Sequence, residues 1–245
     1  MDIVNFSSQS HQGPFLNQNE DGYDFDIENQ LYMIFDGFGG HNVGDKAVEE
    51  IKINIKKFFN SFTEDRDATL PFYFSPKYLI EGNVLINAML LSHYELYKKN
   101  LERELEQRAG ASGLLAIGSE SVLTLASTGN CRAYLIRKGH IEKIFSEDSM
   151  QMLRKDNFES HLKNIPLSGF GLFPDLHYQV KEIRITEGDK IIFLTDGAYA
   201  RVEDREVMSC LTKPTIDLKT KIQEVFDLSN DRGNLDNQTC MILEY

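Results

Sequence analysis

Apolar residues change their spacing along the chain, and each change marks a different kind of element. Residues 1–30 are polar, with Asn17, Asn19, Glu20, Asp21, Asp24 and Asp26 crowded together. Residues 31–35 then form an unbroken apolar run that stops at Asp36-Gly37, which predicts a buried strand ending in a turn. Val43, Ala47, Ile51, Ile55, Phe58 and Phe62 recur every three or four positions, giving one apolar helix face. Past Pro71 and Pro76 a second long helix is expected over 77–108. Val84, Leu85, Ala88, Leu91, Tyr94, Leu101 and Leu105 form its apolar side.

Beyond that helix the runs shorten. Residues 114–117, 121–127, 132–137 and 140–144 are aliphatic-rich and broken by Gly118, Gly129-Asn130 and Lys138-Gly139, which predicts a β-meander with hairpin turns. Residues 148–175 are irregular, with Pro166, Gly169, Gly171 and Pro174. Strands are expected over 178–185 and 190–194, joined by Glu187-Gly188-Asp189. Helical stretches near 203–211 and 216–228 precede a last strand over 239–243. Helices group before and after consecutive strands, so an α+β fold with antiparallel sheets is favoured over a doubly wound one. No interior linker separates two cores, and residues 1–245 read as a single domain.

Composition narrows the function classes. The 245 residues carry 26 Lys plus Arg against 38 Asp plus Glu, a net charge of −12. A nucleic-acid partner would want a basic field, so that class is set aside. Cys131, Cys210 and Cys240 lack CxxC spacing, which disfavours a disulfide framework and a zinc knuckle and suits a reducing compartment. Residues 1–10 do not read as a secretory leader, and no apolar run approaches the roughly 18 residues of a spanning helix. A cytoplasmic protein without a membrane partner is expected, although signal-independent export would leave no trace.

The candidate chemistry lies in carboxylates where apolar runs end. Residues 33–37 (MIFDG) and 192–197 (IFLTDG) repeat one design, Glu20-Asp21 lies upstream, and Asp236-Asn237 sits before the last strand. A strand end fixes a side chain at the rim of a sheet, and the following Gly lets its carbonyl face an ion as well. Carboxylates gathered at one rim repel each other unless a cation holds them. All-oxygen donors suit Mg²⁺ or Mn²⁺ rather than zinc. Any one Asp-Gly alone is an ordinary turn; the ordered set carries the case.

Competing sites fail on particular residues. Gly37-Phe38-Gly39-Gly40 lacks the third glycine of a dinucleotide fingerprint, since position 42 is Asn, and no P-loop occurs. The calcium-loop start at Asp24 meets Phe35 where the closing Glu belongs. No GxSxG elbow exists. His11, His41, His93, His140, His161 and His177 form no HExxH pair, and only His41 stands beside a candidate site, as a possible further catalytic residue.

The ordered set resembles the metal-dependent serine/threonine protein phosphatases of the type 2C family, the bacterial branch in particular. Residues 19–21 (NED) resemble its acidic motif, 35–41 (FDGFGGH) its DGxGGH motif, and 128–134 (TGNCRAY) its GDSRxY hairpin. Residues 194–197 (LTDG) resemble its SDG motif and 233–239 (GNLDNQT) its closing G-x-DN-x-T. The resemblance implies an α-β-β-α sandwich, two antiparallel sheets flanked by helix pairs. It also implies two Mg²⁺ or Mn²⁺ ions: Asp36 would bridge both, with Gly37 lending its carbonyl. Asp196 and Asp236 would hold one ion; Asp21 and Glu20 would serve the other directly or through water. A water or hydroxide between the ions would attack phosphoserine or phosphothreonine of a protein substrate in line. The implied setting is signalling, opposite a Ser/Thr kinase.

The resemblance also has departures. The family's phosphate-binding Arg falls at Leu16, the GDSR aspartate at Asn130, and the extra Asp of a third-metal site at Arg108, while Phe38 follows Asp-Gly. A planar cationic fork is not replaced by an aliphatic chain. A phosphatase-like binding protein and a small-phosphoester hydrolase therefore stand as alternatives. Segment 148–175, with Phe158, Phe170 and Phe173, reads either as a flap beside the site or as a loop pinned to the core.

Overall fold

The computed structural model describes residues 3–40, 43–64 (backbone only at 63 and 64), 69–150, 165–214 and 217–245. Among the described residues ten strands form two five-stranded sheets, and every adjacent pair is antiparallel. The first sheet runs β1 (Asn5–His11), β10 (Gln238–Glu244), β9 (Lys190–Leu194), β6 (Arg132–Arg137) and β7 (His140–Lys143). The second runs β2 (Gly22–Asp26), β3 (Leu31–Gly39), β4 (Ala109–Ser119), β5 (Val122–Thr128) and β8 (Gln179–Arg184).

Alternation along β3 sets the layers. Leu31, Met33 and Phe35 join the apolar cluster shared with Ile51 and Ile55 of α1 (Gly44–Glu64) and Leu85 and Met89 of α2 (Ile80–Leu101). Tyr32 and Ile34 face the other way, into the cluster with Ala133, Phe193 and Met241 of the first sheet. The far face of the first sheet packs Tyr134, Ile192 and Ile242 against α3 (Asp196–Tyr199), α4 (Asp204–Leu211) and α5 (Leu218–Asp231). The result is helix, sheet, sheet, helix, the α-β-β-α sandwich that the resemblance implies.

Several local expectations are corrected. Asp36-Gly37 is not a turn: both lie inside β3, opposite Ser112 and Ala111. Gly37 is required there by close approach, because a Cβ would collide with the Glu20 and Gly44 carbonyls. Strand alternation then puts Asp36 on the side of Tyr32 and Ile34, toward the gap between the sheets. The β-meander is also wrong. β4–β5 and β6–β7 are hairpins, but Gly129, at φ +80°, carries the chain from one sheet to the other. β8 and β9 likewise belong to different sheets. The second helix is shorter than 77–108: it spans Ile80–Leu101, and Leu105 stands 77% exposed in a separate 3₁₀ turn, Leu105–Gln107. It stops where the Asn100 amide donates instead to the carbonyls of Ala109 and Gly171 (2.7 and 3.0 Å). Tyr94 and Leu101 face solvent, not the core.

Part of segment 148–175, residues 151–164 with Phe158, lies outside the described residues. The part that follows is pinned. Phe170 is fully buried, meets Phe35 edge-on at 6.2 Å, and exchanges backbone hydrogen bonds with Ala111 (2.8 and 3.3 Å). Phe173 is exposed.

Candidate metal centre and active site

Five acidic side chains from four separate chain segments reach one end of the sandwich. Asp36 comes from β3, Asp196 from the N-terminus of α3 directly after β9, and Asp236 from the turn before β10. Glu20 and Asp21 come from the loop before β2. Glu20, Asp36, Asp196 and Asp236 line a cleft of about 640 Å³, together with Gly37, Phe38 and Asn130.

Neutral groups hold these acids in place. The Thr195 hydroxyl donates to Asp21 Oδ2 at 2.7 Å, and Asn130 Nδ2 donates to Asp196 Oδ2 at 3.1 Å. The Gly44 N–H donates to Glu20 Oε1 at 2.5 Å. Asn237 ties the acidic loop down: its Oδ1 accepts from the Glu20 N–H at 2.8 Å, and its Nδ2 donates to the Gln12 and Gln18 carbonyls, both at 2.9 Å. Asn234 closes the turn around Asp236, donating to its carbonyl at 2.8 Å.

The electrostatics of the cluster are those of crowded like charges. Withdrawal from water pushes the Asp21 and Asp36 carboxyls well above the usual range, and the neighbouring Asp196 and Asp236 charges add to it. Asp196, only 8% exposed, is raised to about 7 by burial and by Asp236. Glu20 and Asp236 are raised for the same first reason, loss of water. The Asp36 and Asp196 carboxyls lie close enough to act on each other, which raises Asp36 further. Like charges crowded at one site favour a held proton or a cation among them.

The donor set fits hard divalent ions. Every candidate ligand atom is oxygen, and Asp45 Oδ1, close enough to Glu20 to raise it, is buried without a hydrogen-bond partner among the described residues. Among the described residues no three His, Cys, Asp or Glu side chains form a ready-made metal cage. That is compatible with Mg²⁺-like ions, which keep several waters and take one or two carboxylates each.

Other expected residues divide. His41 lies outside the described residues. Leu16 is 38% exposed and is not among the described residues lining the cleft. Arg108 lies just before β4, its Nε donating to the Arg103 carbonyl at 3.4 Å.

Comparison with known proteins agrees with this geometry. The family model described as Protein phosphatase 2C matches residues 3–153. The chain belongs to the protein phosphatase 2C family. With the family comes the enzyme class, a metal-dependent protein phosphatase. A relative, the putative protein phosphatase 2C-type of Streptococcus pyogenes serotype M6, is 25% identical over 230 residues, 87% of this chain and 85% of its own length. In fold, the chain is similar to the PPM Ser-Thr phosphatase MsPP of Mycobacterium smegmatis (TM-score 0.78, 20% identity, 100% and 99% of the two chains). It is equally similar to the catalytic domain of the phosphatase PstP solved with two manganese ions (TM-score 0.77, 19% identity, 99% and 98%).

Some residues of this protein phosphatase 2C site carry no sequence signal of their own. Thr195 looks like a strand residue until its hydroxyl is seen on Asp21. Arg201 and Ile165 join the cleft only through folding. Asn130, read as a departure, acts as a donor to Asp196.

Proposed function

We propose that the chain hydrolyses phosphoserine and phosphothreonine in proteins, using two Mg²⁺ or Mn²⁺ ions bedded on Asp36, Asp196 and Asp236 and, on the other flank, on Asp21 and Glu20. The observation that carries this reading is the convergence of Glu20, Asp36, Asp196 and Asp236, from four separate chain segments, on the lining of one cleft. Such a cluster is costly to keep without a cation partner. Bound there, divalent ions would acidify a water for attack and neutralise charge on the phosphoryl oxygens.

The chain's own residues supply the positioning. Asp36 sits centrally, with Asp21, Asp196 and Asp236 all close enough to perturb it. Gly37 allows the β3 backbone beside Asp36 to run against the Glu20 loop, and its carbonyl would serve as a further oxygen ligand. Thr195 and Asn130 orient Asp21 and Asp196, as partners of metal-bearing carboxylates commonly do. Ile165 and Leu235, both exposed, give the cleft mouth apolar surface suited to a peptide flanking the phosphorylated residue. Substrates of this kind are products of Ser/Thr kinases, so the chain would oppose one in signalling, in the cytoplasm. Among the described residues no helix is long and apolar enough to cross a membrane.

The test is Mn²⁺-dependent phosphate release from phosphothreonine peptides and from p-nitrophenyl phosphate. Wild type should turn over both, with the higher kcat/KM for peptides, and Asp36→Asn should lose at least about a hundredfold. Bound Mn²⁺ without turnover of either substrate would instead make the chain a binding protein. A preference for the small ester would remove the protein-substrate reading.

A further inference from the structure

The cleft must receive a phosphate dianion, yet Glu20, Asp36, Asp196 and Asp236 line it. On the proposed function, two divalent ions would offset those four acids and leave the charge of the incoming phosphomonoester uncompensated. An arginine fork is the side chain best matched to that group. Leu16 cannot supply it, and it lies outside the cleft lining.

Among the described residues the cleft is lined by two arginines, Arg132 and Arg201. Arg132 is already committed. It pairs with Glu147 and with Asp204 (3.0 Å), and its guanidinium lies 3.6 Å over the Tyr199 ring. The Arg201 guanidinium has no hydrogen bond or ion pair among the described residues, although its neighbourhood is acidic.

Its backbone, by contrast, is fixed relative to Asp196. The Ala200 N–H donates to the Asp196 carbonyl at 2.7 Å, and the Val202 N–H to the Tyr199 carbonyl at 3.1 Å. Val202 is buried in the third core cluster, and the Tyr199 hydroxyl donates to the Asn130 carbonyl at 2.6 Å. Arg232, ion-paired with Glu206, also donates to the Arg201 carbonyl at 3.5 Å. Arg201 therefore lines the carboxylate cleft from an anchored backbone, and among the described residues its guanidinium is uncommitted.

We propose that Arg201 binds the phosphoryl group of the substrate, supplying from the loop after α3 the cation that Leu16 lacks. The assignment rests on the phosphatase reading of the same cleft. Inorganic phosphate is the probe, titrated calorimetrically into the Mn²⁺-loaded full chain and used as a competitive inhibitor. Arg201→Ala should weaken phosphate about ten- to a hundredfold, the loss of a charge-assisted contact. It should raise KM for p-nitrophenyl phosphate and a phosphothreonine peptide by similar factors, with an unchanged melting temperature. Arg201→Lys should recover part of the loss, since the charge returns without the fork.

Phosphate binding equal to wild type in Arg201→Ala overturns the assignment. So does an effect confined to peptides with acidic flanking residues, which would make Arg201 a reader of peptide sequence. A wild type that binds phosphate through Arg201 yet turns nothing over sinks the phosphatase reading while leaving this one standing. A loaded wild type that binds no phosphate sinks both.

Discussion

Asp21, Asp36 and Asp196 are crowded together out of water, so each holds its proton more tightly than a free aspartate, and this has a consequence for stability. Unfolded aspartates titrate near about 3.9, whereas Asp196 in the fold titrates at about 7 and Asp21 and Asp36 are also raised. The folded chain thus holds more protons than the unfolded one across that interval, and its stability falls as pH rises through it. Metal-stripped protein should melt several degrees lower at about pH 8 than at about pH 5. Mn²⁺ added at the higher pH should restore the loss, and Asp196→Asn should flatten the slope. A melting temperature that rises over this range in the stripped protein would contradict the account. At the same scale, Asn130→Ala and Thr195→Ala each remove a donor that orients an acidic side chain. Each should lower kcat/KM about ten- to a hundredfold, with Mn²⁺ affinity weakened alongside. An unchanged Mn²⁺ titration would show that these donors do not position the acids.

Among the elements, the crossover at Gly129 and the pin at Phe170 both pack against β4, the strand paired with the Asp36 strand β3. Gly129 takes φ +80° directly over Ser112, where a Cβ would strike the Ser112 side chain. Gly129→Ala should therefore destabilise by about 1–3 kcal/mol in urea denaturation. Phe170→Ala removes a fully buried ring edge-on to Phe35 and should lose about 3–5 kcal/mol. A loss below about 1 kcal/mol would mean that the segment after residue 164 is not held by this ring. These two elements also show what the sequence could disclose. The runs 132–137 and 190–194 coincide with β6 and β9, because aliphatic residues bounded by turn formers have few other uses. The partition of strands between sheets was hidden, since Gly129-Asn130 has the chemistry of an ordinary hairpin and both sheets are equally apolar inside. β1 and β2 escaped because they are edge strands: Ser7, Ser8 and Ser10 dilute the apolar alternation that marks a buried strand. Asp36 was legible as a site residue while its place within the strand was not. Gly37 looked like a turn former, but close backbone approach is what requires it.

Across the whole molecule, the acids lie far apart in sequence and meet because the two sheets stack with matching ends. Asp36 lies in β3 of the second sheet and Asp196 follows β9 of the first, so the acid cluster straddles the sandwich interface. Their separation from Glu20 and Asp236 along the chain made the set recognisable only as an ordered series, and Arg201 entered through space alone. The claim on which all of this rests is that two cations occupy this bed. A crystal soaked in MnCl₂ and measured at the manganese absorption edge addresses it directly. The account predicts two anomalous peaks in contact with Asp36, one of them also against Asp196 and Asp236. An empty bed at saturating Mn²⁺, with no anomalous peak beside Asp36, would contradict it.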